Sequence, residues 1–115
     1  MSANDHELIR LAAKAAGIEG SFDDTEDVGD GLWINGERTP DNDRYWNPLT
    51  KDGDALRLVN KLRMRVEHHV RHPFVAVFAH FGFYAERVEE AVDADVDAAT
   101  RRAIVRAAAE IGRQA

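Results

Sequence analysis

Apolar positions recur along this chain with two different periods, and the changes of period divide it into elements. Leu8, Leu11, Ala12, Ala15 and Ala16 share one face at helical spacing, with Glu7, Arg10 and Lys14 opposite. Asn4 before them and Glu7 three residues on make an approximate capping box, and Gly17 suits a helix end. The spacing predicts a helix over about residues 5 to 16. A second stripe of Ala55, Leu58, Val59 and Leu62 predicts a helix over 52 to 62. Pro48 precedes it, Thr50 or Asp52 can cap it, and Asp52 and Asp54 favour its positive end. A third stripe, Thr100, Ile104, Ala107, Ala108 and Ile111, predicts a helix over about 98 to 112. Asp97 is its cap, Gly112 marks its last turn, and its many alanines allow close approach to a sheet.

Between the second and third helices the period drops to two. Met64, Val66, His68 and Val70 alternate with Arg65, Glu67, His69 and Arg71, while "FVAVFAHF" (74 to 81) is apolar at nearly every position. The short link at His72-Pro73 joins these two strands as an antiparallel hairpin. Either register drawn around Pro73 pairs an even-numbered residue with an odd-numbered one, so the face assignment does not depend on the choice. One face holds Met64, Val66, His68, Val70, Val75, Val77, Ala79 and Phe81 and should pack on helices. The other holds Arg65, Glu67, His69, Arg71, Phe74, Ala76, Phe78 and His80 and is mixed. "FYAERVEE" adds a third strand, although Ala85, Glu86 and Glu89 are weak strand formers. The meander runs over about 64 to 90.

Residues 19 to 31 are acidic and glycine-rich and read as a mobile loop. "GLWING" reads as a short strand ending in an Asn35-Gly36 turn, and a short hairpin is expected near 31 to 46. The order of helix, hairpin, helix, meander and helix predicts an α+β fold, an α/β/α-type sandwich. At 115 residues one domain over 1 to 115 is expected.

Composition narrows the function classes. With no cysteine, thiolate chemistry and thiolate metal sites are excluded. No apolar run reaches the ~20 residues of a membrane helix, and "MSANDHELIR" lacks the basic-then-apolar order of a secretory signal. A cytoplasmic protein is expected. A formal net charge of −6 argues against a general nucleic-acid binder.

The five histidines show no metal-ligand spacing: His68 and His69 point to opposite strand faces, and no HxH or HExxH occurs. His68, on the apolar face, reads as a core histidine. Neither a metal nor a cofactor is expected. Glu67, His69 and His80 share the mixed face and are the one candidate acid/base group, with Arg65 and Arg71 able to hold an anion there. The simpler reading is a partly solvated sheet face with cross-strand charge pairs. Trp33, Tyr45 and Trp46 are either an exposed aromatic platform or lids over the end of a small core. Arg102, Arg106 and Arg113 make a basic stripe on the last helix, a candidate nucleic-acid contact. The interaction surface expected from the sequence is thus Trp33, Tyr45, Trp46, Arg65, Glu67, His69 and His80.

Two blocks carry a family resemblance. One is Trp46-Asn47-Pro48, a short acidic spacer and an amphipathic helix with Ala55, Leu58, Lys61 and Leu62. The other is the alanine-rich helix with Arg102, Ala103 and Ile104. Together they resemble small phage and prophage proteins of unknown function, similar to the phage ABA sandwich domain family. The resemblance implies an α/β/α sandwich and a phage-linked gene, and no activity. It leads to an expected role as a small accessory protein that binds a phage or host protein. Homodimerisation through the mixed face is a further expectation, and a nucleic-acid partner or a small enzyme are the alternatives.

Overall fold

The computed structural model describes residues 3–21, 32–34, 45–81 and 84–114. They form an α+β fold with three helices and a three-stranded antiparallel meander. In chain order the elements are α1 (Ala3–Ala16), β1 (Gly20–Ser21), β2 (Leu32–Ile34), β3 (Tyr45–Trp46), α2 (Asp52–Leu62), β4 (Arg65–His69), β5 (Phe74–Phe81), β6 (Tyr84–Ala91) and α3 (Val96–Gln114).

The expected strand register holds. Val66 pairs with Val77 and Val77 with Val88, so even-numbered β4 and β6 positions share a face with odd-numbered β5 positions. That face meets α3: Val75, Val77, Ala79 and Val88 are buried. The weak strand formers of 84–91 are overridden because each of these residues has a β5 partner.

α3 lies against β5 and β6 on one side and against α1 on the other, with α2 beside it. The layers therefore run meander, α3, α1. This position explains why burial on α3 exceeds one stripe. Ala103, Val105 and Ala109 are buried as well as Ile104, Ala107, Ala108 and Ile111, as in a helix covered on two sides. On α1 the buried centre is Ile9, Ala12 and Ala13, with Leu8, Ala15 and Ala16 at the flanks. The stripe expected from the sequence is thus displaced by about one position toward Ile9.

Gly112 lies in the last turn of α3, as expected, and the helix continues to Gln114. This glycine lies where α3 packs directly on the backbone of α1. A Cβ built there would lie 2.0 Å from the Leu11 carbonyl oxygen. Alanine-rich α3 thus permits close approach to a helix as well as to the sheet.

Several end signals fall elsewhere than expected. α1 begins at Ala3, so Asn4 lies inside it. Its end is as expected: Gly17 has φ 73°, Ile18 N–H donates to Ala13 O at 2.9 Å, and Gly17 N–H to Lys14 O at 3.2 Å. Lys51, not Thr50 or Asp52, holds the N-cap position of α2, with no side-chain cap. α3 is capped by Asp95, whose Oδ1 accepts from Ala98 N–H at 3.0 Å; Asp97 stands in the first turn.

Two expected core positions are exposed. Val70 falls in the turn after β4 and is 87% exposed. His68 faces the helical side but is exposed, because α3 covers β5 and β6 and leaves the edge strand β4 largely uncovered.

The expected loop at 19 to 31 starts as a strand. β1 pairs with β2, and β2 with β3, in a second small sheet. The expected hairpin is present as β2 and β3. Residues 22–31, with the acidic run, and the Asn35-Gly36 turn lie outside the described residues.

Candidate functional site

The stretch from Trp46 to Asp54 is a buried latch. Trp46 is 3% exposed and packs in the core with Leu32, its β2 partner. Trp46 is therefore a lid over the core end and not part of an exposed platform. Tyr45 is half-buried, and Trp33 pairs with it through the backbone.

Asn47 is fully buried and hydrogen-bonded throughout. Its N–H donates to Asp54 Oδ2 at 3.0 Å, its Oδ1 accepts from Leu49 N–H at 3.0 Å, and its carbonyl accepts from Thr50 and Lys51 N–H. The Oδ1 bond two residues on is the asparagine turn that this residue type favours. Asp54, only 6% exposed, also binds Arg57 Nη1 through Oδ1 at 3.1 Å. It stands in the first turn of α2, where a carboxylate is favoured.

Arg101 of α3 closes the latch from the other side. Its Nε donates to Leu49 O at 2.8 Å and its Nη1 to Asp52 Oδ1 at 2.7 Å. The two sequence blocks that carry the resemblance are therefore in contact, and that contact serves the fold.

The basic stripe on α3 is likewise engaged internally. Arg102 binds Asp5 of α1 through both Nη atoms, at 3.0 and 2.8 Å. Arg106 binds Glu90 Oε2 and, at 3.0 Å, Glu89 O of β6; Arg113 binds Glu110. Each guanidinium already has a carboxylate partner. Beside Asp5 and Arg102 lies an open groove of about 450 Å³ that Glu90, Asp93 and Asp95 also line.

The mixed face of the meander is different. No described helix or strand packs on it. Alternation and register arrange it in rows across the three strands: Arg65, Phe78, Arg87; Glu67, Ala76, Glu89; His69, Phe74, Ala91. His80 stands one row beyond Phe78 on β5 and is exposed.

Side chains roof this face over. The Arg65 guanidinium lies 4.1 Å from the Phe78 ring centre, and that of Arg87 lies 5.5 Å from Phe78 and 6.0 Å from Phe74. His69 stacks on Phe74 with ring centres 4.1 Å apart. Ala76, in the row between the two phenylalanines, is fully buried. Arg65 pairs with Glu67 at 3.6 Å, and Arg87 pairs with Glu89.

The candidate acid/base group does not assemble. Glu67 Oε1 and His69 Nε2 are 3.6 Å apart, but His80 is out of their reach. Glu67 stands opposite Ala76, so His80 is four residues farther along the strands, about 13 Å away at strand spacing. The Arg65, Phe78, Arg87 row lies between. Arg71, the second candidate anion holder, is in the turn after β4 and not on the sheet face. Among the described residues no group of three or more His, Cys, Asp or Glu is arranged to hold a metal ion.

The sequence therefore located Arg65, Glu67, His69, Phe74, Ala76, Phe78 and His80 on this face, and missed Arg87 and Glu89. Their i, i+2 spacing in "ERVEE" was the available signal, and it became legible only once 84–91 was fixed as a strand. Comparison with protein-family models, with curated proteins and with solved structures found no match to this chain.

Proposed function

We propose that this chain is a small accessory protein that acts by binding another protein through the outer face of the β4 to β6 sheet. The observation that carries this reading is the aromatic and arginine-rich face itself, on which no described helix or strand packs. Phe74 and Phe78 are half-buried, and Arg65, Arg87 and His69 of the same sheet lie over them. Arginine and aromatic side chains are the types enriched where proteins bind one another, and flat stacking on a ring holds an arginine in place beforehand.

The phage or prophage setting belongs to the same proposal. It rests on the resemblance of the Trp46-Asn47-Pro48 and Arg102-Ala103-Ile104 blocks, and it places the protein in the cytoplasm of the host cell with a phage or host protein as partner. Among the described residues no helix is long and apolar enough to cross a membrane. The nucleic-acid alternative loses support from the pairing of Arg102, Arg106 and Arg113. A phosphate contact there would have to displace a carboxylate at each arginine, which reduces the gain from counterion release.

Photo-crosslinking tests the reading. A crosslinkable residue is placed at Glu67 or His80, with controls at Leu56 on α2 and Arg113 on α3. In lysate of bacteria carrying the gene, the sheet positions should give discrete adducts that the controls do not. Adducts at all four positions alike, or at none, would refute the sheet face as a binding surface.

A further inference from the structure

We infer that the partner of the outer sheet face is a second copy of this chain. The copies dock face to face about a two-fold axis that runs across the strands between the Phe78 and Ala76 rows. This rests on the proposal that the face is a protein contact surface, and adds the identity of the partner and the geometry.

The charge pattern carries the inference. One row has an arginine on each side of Phe78, and the next has a glutamate on each side of Ala76. The rows are two residues apart along the strand, about 7 Å. A two-fold axis between them lays the arginine row of each copy over the glutamate row of the other, with Arg65 on Glu67 and Arg87 on Glu89. An axis along the strands would instead set Arg65 over Arg87 and Glu67 over Glu89, like on like. The pattern therefore selects one of the two in-plane axes. Each arginine already paired within its own chain gains a second carboxylate, forming two alternating four-charge clusters.

The remaining rows are compatible with the same axis. The same rotation sets the Phe78 position of each copy over the Ala76 position of the other, so the two phenylalanines do not meet head on. It sets His80 over the row of Phe74 and His69. The strands run nearly antiparallel across the interface, which is compatible with aligned packing of two sheets about 10 Å apart.

Charge balance also favours a copy over other partners. Arg65 and Arg87 offset Glu67 and Glu89, so this face is nearly neutral on a chain of net charge −6. A uniformly acidic or basic partner would meet as much repulsion as attraction. The patch is small, three strands by four rows or about 15 by 20 Å, and smaller than a standard interface of ~800 Å² per partner. Association is therefore weak, in the range of tens to hundreds of micromolar.

Sedimentation velocity from about 10 µM to about 1 mM spans that range. The wild-type mass should rise from monomer toward dimer, and about half a molar of added salt should weaken association roughly tenfold by screening. The double variant Arg65→Glu with Arg87→Glu makes both rows acidic, and Glu67→Arg with Glu89→Arg makes both basic. Each should stay monomeric alone, while an equimolar mixture forms a heterodimer. A wild-type chain that is monomeric throughout overturns the inference, as does a dimer indifferent to charge reversal or salt. A monomeric result leaves the crosslinking test of the broader reading intact, so the two failures are distinguishable.

Discussion

Gly112→Ala separates two opposed effects. In an isolated helix alanine is favoured over glycine by ~1 kcal/mol, so helix propensity alone predicts stabilisation. The tertiary structure predicts the reverse. A Cβ at residue 112 falls 2.0 Å from Leu11 O and 2.8 Å from Leu11 C, where ordinary contact begins near 3.4 Å. The obstructing atoms belong to the backbone of α1 and cannot rotate away. α1 must therefore retreat from α3 by about 1.4 Å, the shortfall between those two distances. That movement loosens the packing of Ile9, Ala12 and Ala13, all buried, against α3. Overpacking of this kind costs ~1–3 kcal/mol, and displacing a whole helix belongs at or beyond the upper end. After subtracting the propensity gain, the net loss should be about 2 kcal/mol. For a chain of this size that is a fall in Tm of roughly 6–12 °C. Urea unfolding followed by circular dichroism measures the free energy directly. Gly53→Ala is the comparison, since its added Cβ meets only the flexible Arg57 guanidinium at 3.3 Å. It should be neutral or stabilising by up to ~1 kcal/mol. Equal or higher stability for Gly112→Ala would refute the close helix crossing.

Asn47→Ala removes the acceptor for Leu49 N–H from a fully buried position, and should destabilise by ~1–3 kcal/mol in the same urea assay. Asp52→Ala, at a carboxylate 78% exposed, should change stability by no more than a few tenths of that unit, and comparable losses from the two would count against the latch. Arg63 closes α2 at φ 54°, a conformation that suits glycine, while Met64 N–H donates to Val59 O at 3.0 Å. Arg63→Gly should therefore raise stability by up to ~1 kcal/mol, and a loss in thermal and urea unfolding would show that the arginine side chain outweighs the backbone strain.

Legibility in the sequence followed the kind of information each feature required. Helix existence and strand faces depend on local periodicity, and Ala55, Leu58, Val75 and Val77 are buried as their spacing implies. Features that depend on which element lies opposite were less legible. The spacing on α3 predicts one buried stripe through Ile104, Ala107, Ala108 and Ile111, yet Ala103, Val105 and Ala109 are buried as well because α1 covers a second side. Gly112 reads as part of the last helical turn because glycine is common near helix ends, and it does lie there. Its true constraint, the approach of Leu11 about a hundred residues earlier, leaves no local trace. His68 and Val70 alternate correctly with their neighbours, but alternation does not reveal how far a covering helix extends.

The same distinction applies to the candidate sites. Trp46, Asn47 and Pro48 have the unusual composition that often marks a binding site, and all three are buried. The polar groups of Asn47 meet Asp54, Leu49, Thr50 and Lys51 within the chain, so the fold accounts for its chemistry. The sheet face has ordinary composition residue by residue, and its organisation resides in the register. Arg65 and Arg87 are 22 positions apart in sequence, yet both flank Phe78; Glu67 and Glu89 are equally separated, and both flank Ala76. Equal separation is a consequence of two strands running in the same direction on either side of β5. It converts two separate Arg-x-Glu spacings into one row of cations beside one row of anions. A shift of β6 by two residues along β5 would set Glu89 beside Phe78 and destroy the separation of signs. The self-complementary face therefore depends on the pairing of Phe78 with Arg87, which the meander fixes and neither strand specifies alone.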